Sequence, residues 1–589
     1  HISCIEVRQE KYPPILPDVV SLLKSCARRK DLAGGIKIHD RVVNLGCLER
    51  DIYVGNALIN LYAKCGELMK AQEVFDTIRA KDVVTLTTLI GAYTHHGNCE
   101  LSLALFYRMR AESLAPDAFT FVHILKACGD CIGISNQGEK IHVEVINEGF
   151  VGKDPFVGIA LLDMYAKCGA FLKAREALDS LWVQNVIAWN ALIAGCARHN
   201  GISGSYQALN EMQLYGISPD SITFVCILKV CGALGAIHIG VKIHANKVVR
   251  EELEKGNVFL GNALINMYAK CGAIQEAQEA IGQLSTRNVA SWSTLFSGYV
   301  ENGPCEEALD LFEKMQLEDG IKPDVVSFVC ILRACGIIGA LDKGEEIRSK
   351  ICQMGLFVNN LSIGNAVVDM YAKCGNVEKA REMFDQLSNP DSVSWSIIIA
   401  GYMEHGHSKE ALECFEEIQK QGFCIDALTY VNVSKACGAI VDFRKGFEVH
   451  DDVIREGFLE DPSLGTALVD MYGKAGLLQK LLEIFDQLPS RTVGSWNAII
   501  AAYTREERGK EALSFFIQMK LEGVLPNSIT CICILSACRN IGSIEMGRKI
   551  HSIIKTSWPI EENAAISSAL IGIYAQFGFL EQVEDLFNE

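Results

Sequence analysis

The chain has 589 residues and a mass of 64.7 kDa, roughly three to five times an ordinary single-core domain, so it must be several domains or an array of repeats. With 22% charged and 49% hydrophobic residues, 50 Gly and 13 Pro, the composition excludes a disordered or fibrous chain. The net charge of −17 is the wrong sign for coating duplex nucleic acid through bulk charge, so binding nucleic acid would need basic groups gathered locally.

The 23 cysteines recur singly along the chain rather than in a compact secreted framework. They read as reduced thiols packed between helices, in a reducing compartment. No stretch approaches the roughly 18 uninterrupted apolar residues of a spanning helix, and apolar runs such as 529–535 are short, so no membrane partner is expected. The sequence starts at His1 rather than Met and stops at Glu589 inside a recurring pattern. It therefore reads as a piece of a longer protein, with any targeting segment upstream.

Self-similarity sets the organisation. Tyr-Ala-Lys-Cys-Gly starts at Tyr62, Tyr165, Tyr268 and Tyr371, then becomes Tyr-Gly-Lys-Ala-Gly at Tyr472 and Tyr-Ala-Gln-Phe-Gly at Tyr574; successive spacings are 103, 103, 103, 101 and 102. Cys26, Cys128, Cys231, Cys335, Cys437 and Cys538 repeat with the same period. Each period holds three units, cut where an Asp or Asn closes one and an extended dipeptide opens the next. In chain order, after a flank of residues 1–15, the units are 16–51, 52–82, 83–117, 118–154, 155–185, 186–220, 221–257, 258–288, 289–324, 325–360, 361–391, 392–426, 427–461, 462–492, 493–527, 528–563 and a truncated 564–589.

Each unit reads as two helices. In 83–117 the stretch from Val83 to Thr94 precedes a His96-Gly97-Asn98 break, and a second helix runs from Cys99 to Glu112 before Pro116. The second helix of 52–82 carries Ala71, Val74, Phe75 and Ile78, and that of 289–324 carries Ala308, Leu311, Phe312 and Met315, all at i, i+3, i+4, i+7. No such hairpin buries its apolar face alone. Neighbours must stack, so the fold class is all-α, an α-solenoid superhelix of helix-turn-helix repeats.

The opening residues of the units name a family. Val-Ile-Ala-Trp-Asn-Ala-Leu-Ile-Ala-Gly from Val186 and Val-Gly-Ser-Trp-Asn-Ala-Ile-Ile-Ala-Ala from Val493, closed by Ser218-Pro219-Asp220 and Leu525-Pro526-Asn527, resemble pentatricopeptide P motifs. Gly-Asn-Ala-Leu-Ile-Asn-Met-Tyr-Ala-Lys-Cys-Gly from Gly261 resembles the short S motif, and the unit from Ser221 through His244 resembles the L motif. The resemblance covers residues 16–589 as 17 motifs, six L, six S and five P, in the order L, S, P.

Such an alternating array is similar to plant organellar RNA-binding proteins that select cytidines for editing to uridine. The resemblance implies single-stranded organellar RNA as partner, with one nucleotide per repeat read by the fifth and last residues of each motif. Small polar groups on consecutive helices suit the Watson–Crick edges of unstacked bases. An Asn offers a donor and an acceptor to a pyrimidine; a Thr or Ser hydroxyl leaves room for a purine. By this resemblance Asn56 with Asp82, Asn190 with Asp220 and Asn365 with Asp391 read U. Thr87 with Asp117, Ser293 with Asp324 and Ser396 with Asp426 read G. Asn262 with Asn288 and Asn497 with Asn527 read a pyrimidine. Ile159 with Asn185 and Thr466 with Thr492 depart from the pattern. The L motifs place Val20, Val122, Val225, Val329, Val431 and Ile532 at the fifth position, as spacers or weak readers.

The resemblance further implies that second residues wedge between bases, which apolar side chains do well. Val84, Ile187, Phe259, Val326 and Val393 match; Ala290, Ser362, Ser463 and Gly494 do not. Lys64, Lys167, Lys270, Lys373 and Lys474, recurring on the first helices of S motifs, form a candidate phosphate-facing stripe. A solvated helix face explains these lysines equally well. Asp and Asn at motif ends would also serve as ordinary helix caps, and only their pairing with a polar fifth residue favours base contact. Trp189, Trp292, Trp395 and Trp496 read as interface packing. The whole interpretation fails if the paired side chains are buried or face the convex outside.

No active site stands out. His142-Val143-Glu144 matches half of a deaminase signature, but Cys128-Gly129-Asp130-Cys131 lies upstream of it. His39, His244, His450 and His551 fill the same slot without that Glu, which marks His142 as a repeat residue. Neither a metal nor another cofactor is expected. The leading reading is a non-catalytic module that selects editing sites in mitochondrion or chloroplast, with a deaminase beyond Glu589 or in trans. Organellar RNA stability, splicing or processing, and a protein-binding helical scaffold, are the competing readings.

Overall fold

In the computed structural model the described residues are 16–44, 48, 51–79, 81–131, 135–151, 153–181, 183–199, 201–317, 320–557 and 564–588. The flank of residues 1–15 lies outside them. All regular structure among the described residues is helical. The chain divides into two compact units, His1–Gly303 and Pro304–Glu589.

In the first unit the hairpins follow one plan. The Val83–His95 helix packs on its own partner, Cys99–Ala111, and on the first helices of the flanking hairpins, Ile52–Cys65 and Ala118–Asp130. Its start is set by Asp82, whose extended backbone (φ −104°, ψ 179°) lets the carboxylate accept the Thr85 N–H at 2.8 Å. Ile52–Cys65 stops at Gly66, where φ of 84° lies in the left-handed region that a glycine enters without strain. The stripe Ala71, Val74, Phe75 and Ile78 is buried as its spacing predicts. Trp189 is fully buried, with the Arg175 guanidinium 5.4 Å from its ring.

In the first unit one hairpin, 221–257, has a broken second helix; in the second unit, 325–360 adds a short helix, Leu356–Asn359, and 427–461 a 3-10 turn, Phe458–Glu460. In 221–257 the second helix breaks into Ile237–His244 and Lys247–Glu254. Asn246 sits between them with extended backbone (φ −65°, ψ 135°), and its side chain accepts the Val248 N–H at 2.9 Å, so it ends one helix and caps the next.

The second unit repeats the plan. Asp324, Asp391, Asp426 and Asn527 cap the helices that follow them. Ala308, Leu311, Phe312 and Met315 are buried. Trp395 and Trp496 are edge-on to Phe384 and Phe485, with ring centroids 4.6 and 4.8 Å apart.

Two repeated contacts explain the pentapeptide. At three joints the first helices of consecutive hairpins touch through its Ala and a Gly of the next hairpin, while the joint between 52–82 and 83–117 has Ala at both registers, Ala63 and Ala92. A Cβ added to Gly195 would stand 2.3 Å from that of Ala166; one on Gly298 would stand 2.4 Å from Ala269, and one on Gly401 2.6 Å from Ala372. In the 462–492 motif the roles reverse: Gly473 replaces the Ala, and a Cβ there would lie 2.8 Å from Ala502, which replaces the Gly. The second contact joins L to S motifs. Tyr62, Tyr165, Tyr268, Tyr472 and Tyr574 meet Nδ1 of His39, His142, His244, His450 and His551 at 2.7, 2.8, 3.0, 3.1 and 2.8 Å. Arg348 occupies the histidine slot beside Tyr371. Burial is the main influence that lowers the pKa of His39, His142, His244 and His450.

Gly473→Ala is expected to destabilise by about 1–3 kcal/mol through overpacking, and adding Ala502→Gly to restore most of it; a thermal double-mutant cycle checks this. Because the histidines titrate lower folded than unfolded, their stabilisation is complete above about pH 6.5 and is lost as pH falls through the folded value. The thermal midpoint should fall between about pH 7 and pH 5, and His142→Gln with His450→Gln should flatten that fall.

Candidate nucleic-acid interface

First helices alone build the two grooves that hold the proposed readers. In the first unit a groove of about 1140 Å³ is lined by Asn56, Thr87 and Asp117, with Tyr53, Val84 and Phe119 beside them and Lys64 among the flanking cations. In the second unit a groove of about 630 Å³ is lined by Thr466, Thr492, Asn497, Gly494 and Ile529.

Of the fifth residues, Asn56 and Thr87 line the first groove and Thr466 and Asn497 the second. Thr87, Asn190, Asn365 and Asn497 keep only 8, 8, 9 and 8% of their surface exposed, much less than side chains standing free on a helix face. Asn56, Asn262 and Ser396 are half-buried, as are the closing residues Asp82, Asp117, Asp220, Asp391 and Asn527; Asn288 and Asp426 are exposed. Five of the eight fifth residues proposed as readers, Ser293 at 6% included, are thus buried, which runs against the requirement that they be open; of these, Thr87 and Asn497 still contribute to the groove lining.

A third residue, the Ser or Thr three positions after each closing Asp or Asn, ties the pairs together. Asn190 donates its amide to Asp220 Oδ1 at 3.0 Å, and the Thr223 hydroxyl lies 2.6 Å from Asn190 Oδ1. Asp220 Oδ1 also accepts the Thr223 N–H at 2.9 Å. This fixes the amide: its oxygen cannot face the carboxylate, so Nδ2 does, and Oδ1 turns to the hydroxyl. Asn497, Asn527 and Thr530 repeat the arrangement at 3.0 and 2.6 Å. Ser291 and Ser394 reach Asn262 and Asn365 at 2.6 and 2.7 Å while holding Asn288 and Asp391. Thr120 and Thr429 meet the hydroxyls of Thr87 and Ser396 at 2.6 and 2.7 Å, and the Thr120 hydroxyl donates to Asp117 at 2.7 Å. Ser396 lies 3.5 Å from Asp426.

The remaining pairs have bonds of their own. Asp82 caps its helix, while Asn56 Oδ1 has no hydrogen-bond partner. Ser293 lies in the first unit, bonded to the Val289 carbonyl at 2.9 Å, and Asp324 in the second, where it caps Ser327 at 2.8 Å. Thr466 and Thr492 bond to each other at 3.2 Å. Burial would raise Asp220 and Asp391, but the bonds from Thr223 and Asn190, and from Ser394 and Asn365, outweigh it and hold both below the ordinary carboxylate value. Both remain charged, with Oδ2 left over as an acceptor.

Beside the fifth residues stands an apolar rim. Val84, Ile187, Phe259, Val326 and Val393 are all exposed, Phe259 by 86%. The sequence reading missed equally exposed residues at the same register: Tyr53, Phe119, Phe156, Ile222, Leu428 and Ile529. Applying the second-residue rule to every motif would have found them. An exposed apolar residue at one register, repeat after repeat, is not the scatter of an ordinary surface.

The S-motif lysines divide by the residue four positions earlier. Lys167, Lys373 and Lys474 pair with Asp163, Asp369 and Asp470 at 2.8, 2.8 and 2.7 Å, and Lys167 also meets Asp130 at 2.7 Å. Lys64 and Lys270 follow Asn60 and Asn266 and have no carboxylate partner among the described residues. His142 packs on Tyr165, as its equivalents do on theirs.

Comparison with known proteins agrees with this plan. The family model described as "PPR repeat family" matches residues 81–130, 184–233, 287–336, 390–438 and 491–540, and a second, "PPR repeat", matches 56–83, 262–289, 365–389, 466–493 and 566–589. A mitochondrial pentatricopeptide repeat-containing protein of Arabidopsis thaliana is 30% identical over 97% of this chain and 74% of its own length. A chloroplastic one from the same plant is 31% identical over 96% and 69%. The crystal structure of the pentatricopeptide repeat protein PPR10 from maize shares the fold at a TM-score of 0.60 and 18% identity, covering 97% of this chain and 94% of that one. A second PPR10 structure, in complex with an 18-nt psaJ RNA element, gives a TM-score of 0.54 and 17% identity, covering 98% of each chain. The stacked hairpins, their period and these relatives together make this chain a member of the pentatricopeptide repeat family.

Proposed function

We propose that the chain is a sequence-specific single-stranded RNA-binding protein that selects cytidines in organellar transcripts for C-to-U editing, one base per repeat. The observation that carries this reading is the Asn190–Asp220–Thr223 arrangement and its repeats: a fixed set of hydrogen-bonding atoms between consecutive first helices, accompanied by a register of exposed apolar side chains. The RNA bound to maize PPR10, a protein of the same fold, supports it. The regular L, S, P order favours editing over transcript processing. Relatives named as mitochondrial and as chloroplastic support an organellar site of action. Deamination itself is assigned to a separate deaminase domain or to a partner in trans.

The geometry refines the bases. With Asn190 held by Thr223, the atom left over at Asp220 is an acceptor, which suits the N3–H of uracil. At Asn497 the equivalent left over is the amide nitrogen of Asn527, a donor, which suits the N3 acceptor of cytosine. Thr87, linked to a Thr120 hydroxyl that already serves Asp117, has lone pairs for the N–H groups of guanine.

Binding is measured for a strand carrying the expected bases and for strands with each expected G changed to U, at two salt concentrations. Each change at a reader should weaken binding by about 1–3 kcal/mol; equal affinity for all strands at both salts would point to a protein scaffold instead. Asn527→Asp should move the preferred base at that register from C to U by about 1 kcal/mol or more. RNA crosslinked to the protein in isolated organelles should include cytidines read as uridines in the recovered sequence. Recovery of transcript ends without conversion would replace editing by processing.

A further inference from the structure

The L motifs lack a polar fifth residue, yet they carry a feature that the other motifs do not. Four positions beyond the fifth stand Lys24, Lys126, Lys229, Arg333 and Lys435, at spacings of 102, 103, 104 and 102; only the L motif of 528–563 departs, with Ser536. At the same register the S motifs have Asn60, Asp163, Asn266, Asp369 and Asp470, and the P motifs have Gly91, Ala194, Ser297, Ala400 and Ala501. The cation is therefore specific to L motifs and is not a general property of first helices.

Three structural observations give it a direction. Residues four apart on a helix share a face, so the cation projects beside the fifth residue. Two of these pairs show it directly: Val20 and Lys24 line the first groove together with Asn56 and Thr87, and Val431 and Lys435 line the second with Asn497. Lys24, Lys229, Arg333 and Lys435 are exposed and Lys126 is half-buried, and none of the five has a carboxylate partner among the described residues. By contrast three of the five S-motif lysines are neutralised by an aspartate on their own helix.

We infer that the L motifs hold the sugar-phosphate backbone, through Lys24, Lys126, Lys229, Arg333 and Lys435, while the P and S motifs read bases. The ligand is the phosphodiester of a single strand running along the groove floors, so the inference rests on the RNA-binding reading above. It accounts for backbone contact in a chain of net charge −17. The first helices themselves carry fifteen Lys and Arg against seven Asp and Glu. Their capping aspartates bring this face near neutrality, and the excess acid lies on second helices and loops, away from the strand.

The test is the slope of log affinity against log salt for the full chain and the expected strand. Lys229→Gln, Arg333→Gln and Lys435→Gln should each lower the magnitude of that slope by about 0.7 and together by about 2, the value for single-strand phosphate contacts, and leave the base preference at Asn190 unchanged. Lys140→Gln and Lys420→Gln, exposed on second helices, are the controls and should leave the slope as it was. An unchanged slope in the triple variant, with the thermal midpoint intact, overturns the assignment. So does an equal change in the controls, which would mean bulk charge alone. An unaltered chain whose affinity answers neither to salt nor to base identity would instead overturn the RNA-binding reading beneath it.

Discussion

A single carboxylate oxygen joins the folding of consecutive hairpins to the proposed recognition of a base. Asp220 Oδ1 accepts the Thr223 N–H that starts one helix and the Asn190 amide that belongs to the helix before it. Capping alone contributes about 1 kcal/mol to a helix. Here the same bond also sets the distance between consecutive first helices and turns the reader amide. Ordering the reader is therefore part of folding the repeat, and little additional side-chain entropy is lost when a ligand arrives. The low exposure of the fifth residues follows from this: an amide that makes two protein bonds is held between consecutive first helices.

The fold was legible in the sequence because its strongest signals are local and periodic. The pentapeptide spacing, the i, i+3, i+4, i+7 stripes and the Asp that closes each unit all translate into hairpins, caps and buried faces. The broken second helix of 221–257 was not legible, since Asn246 looks like any polar helix residue until its side chain is seen to accept the Val248 N–H. At the candidate site, the hydrogen-bonded pairing of several fifth and last residues and the exposure of the named apolar second residues could be anticipated from register. The bonds that orient them could not. Thr223 and Ser394 are ordinary N3 residues by sequence, and their contacts to Asn190 and Asn365 cross 33 and 29 positions of chain. The lysine stripe shows the opposite lesson. Asp or Asn four residues earlier decides whether the charge is compensated, and this one-turn relation was present in the sequence without being used.

Cation placement also bears on how a strand of neutral or acidic protein holds an acidic polymer. Net repulsion between a chain of charge −17 and an acidic polymer is largely screened beyond about 10 Å at moderate salt, so it acts only on close approach. Specificity then comes from short-range contacts, and the approach of the polymer is governed by the local face that it meets. Around the second helices some acidic groups are paired, such as Glu148 with Arg110 at 2.9 Å and Glu522 with Arg491 at 2.7 Å. These exposed pairs contribute little stability individually. They do keep the outer surface from competing for the same cations.

The Ala–Gly joints have room for one methyl at the spacing they adopt, whereas the joint of the 52–82 and 83–117 hairpins carries two, Ala63 and Ala92, at the same registers. Ala166 faces Gly195 and Ala372 faces Gly401, whereas Gly473 faces Ala502. The contact is indifferent to which side supplies the methyl but intolerant of two at this spacing. Motifs of this chain are for that reason not interchangeable bricks. An S motif transplanted from 361–391 to stand before the 493–527 motif would bring Ala372 against Ala502. Rebuilding the array for a new target must move such neighbours as couples, or trim one side of the joint.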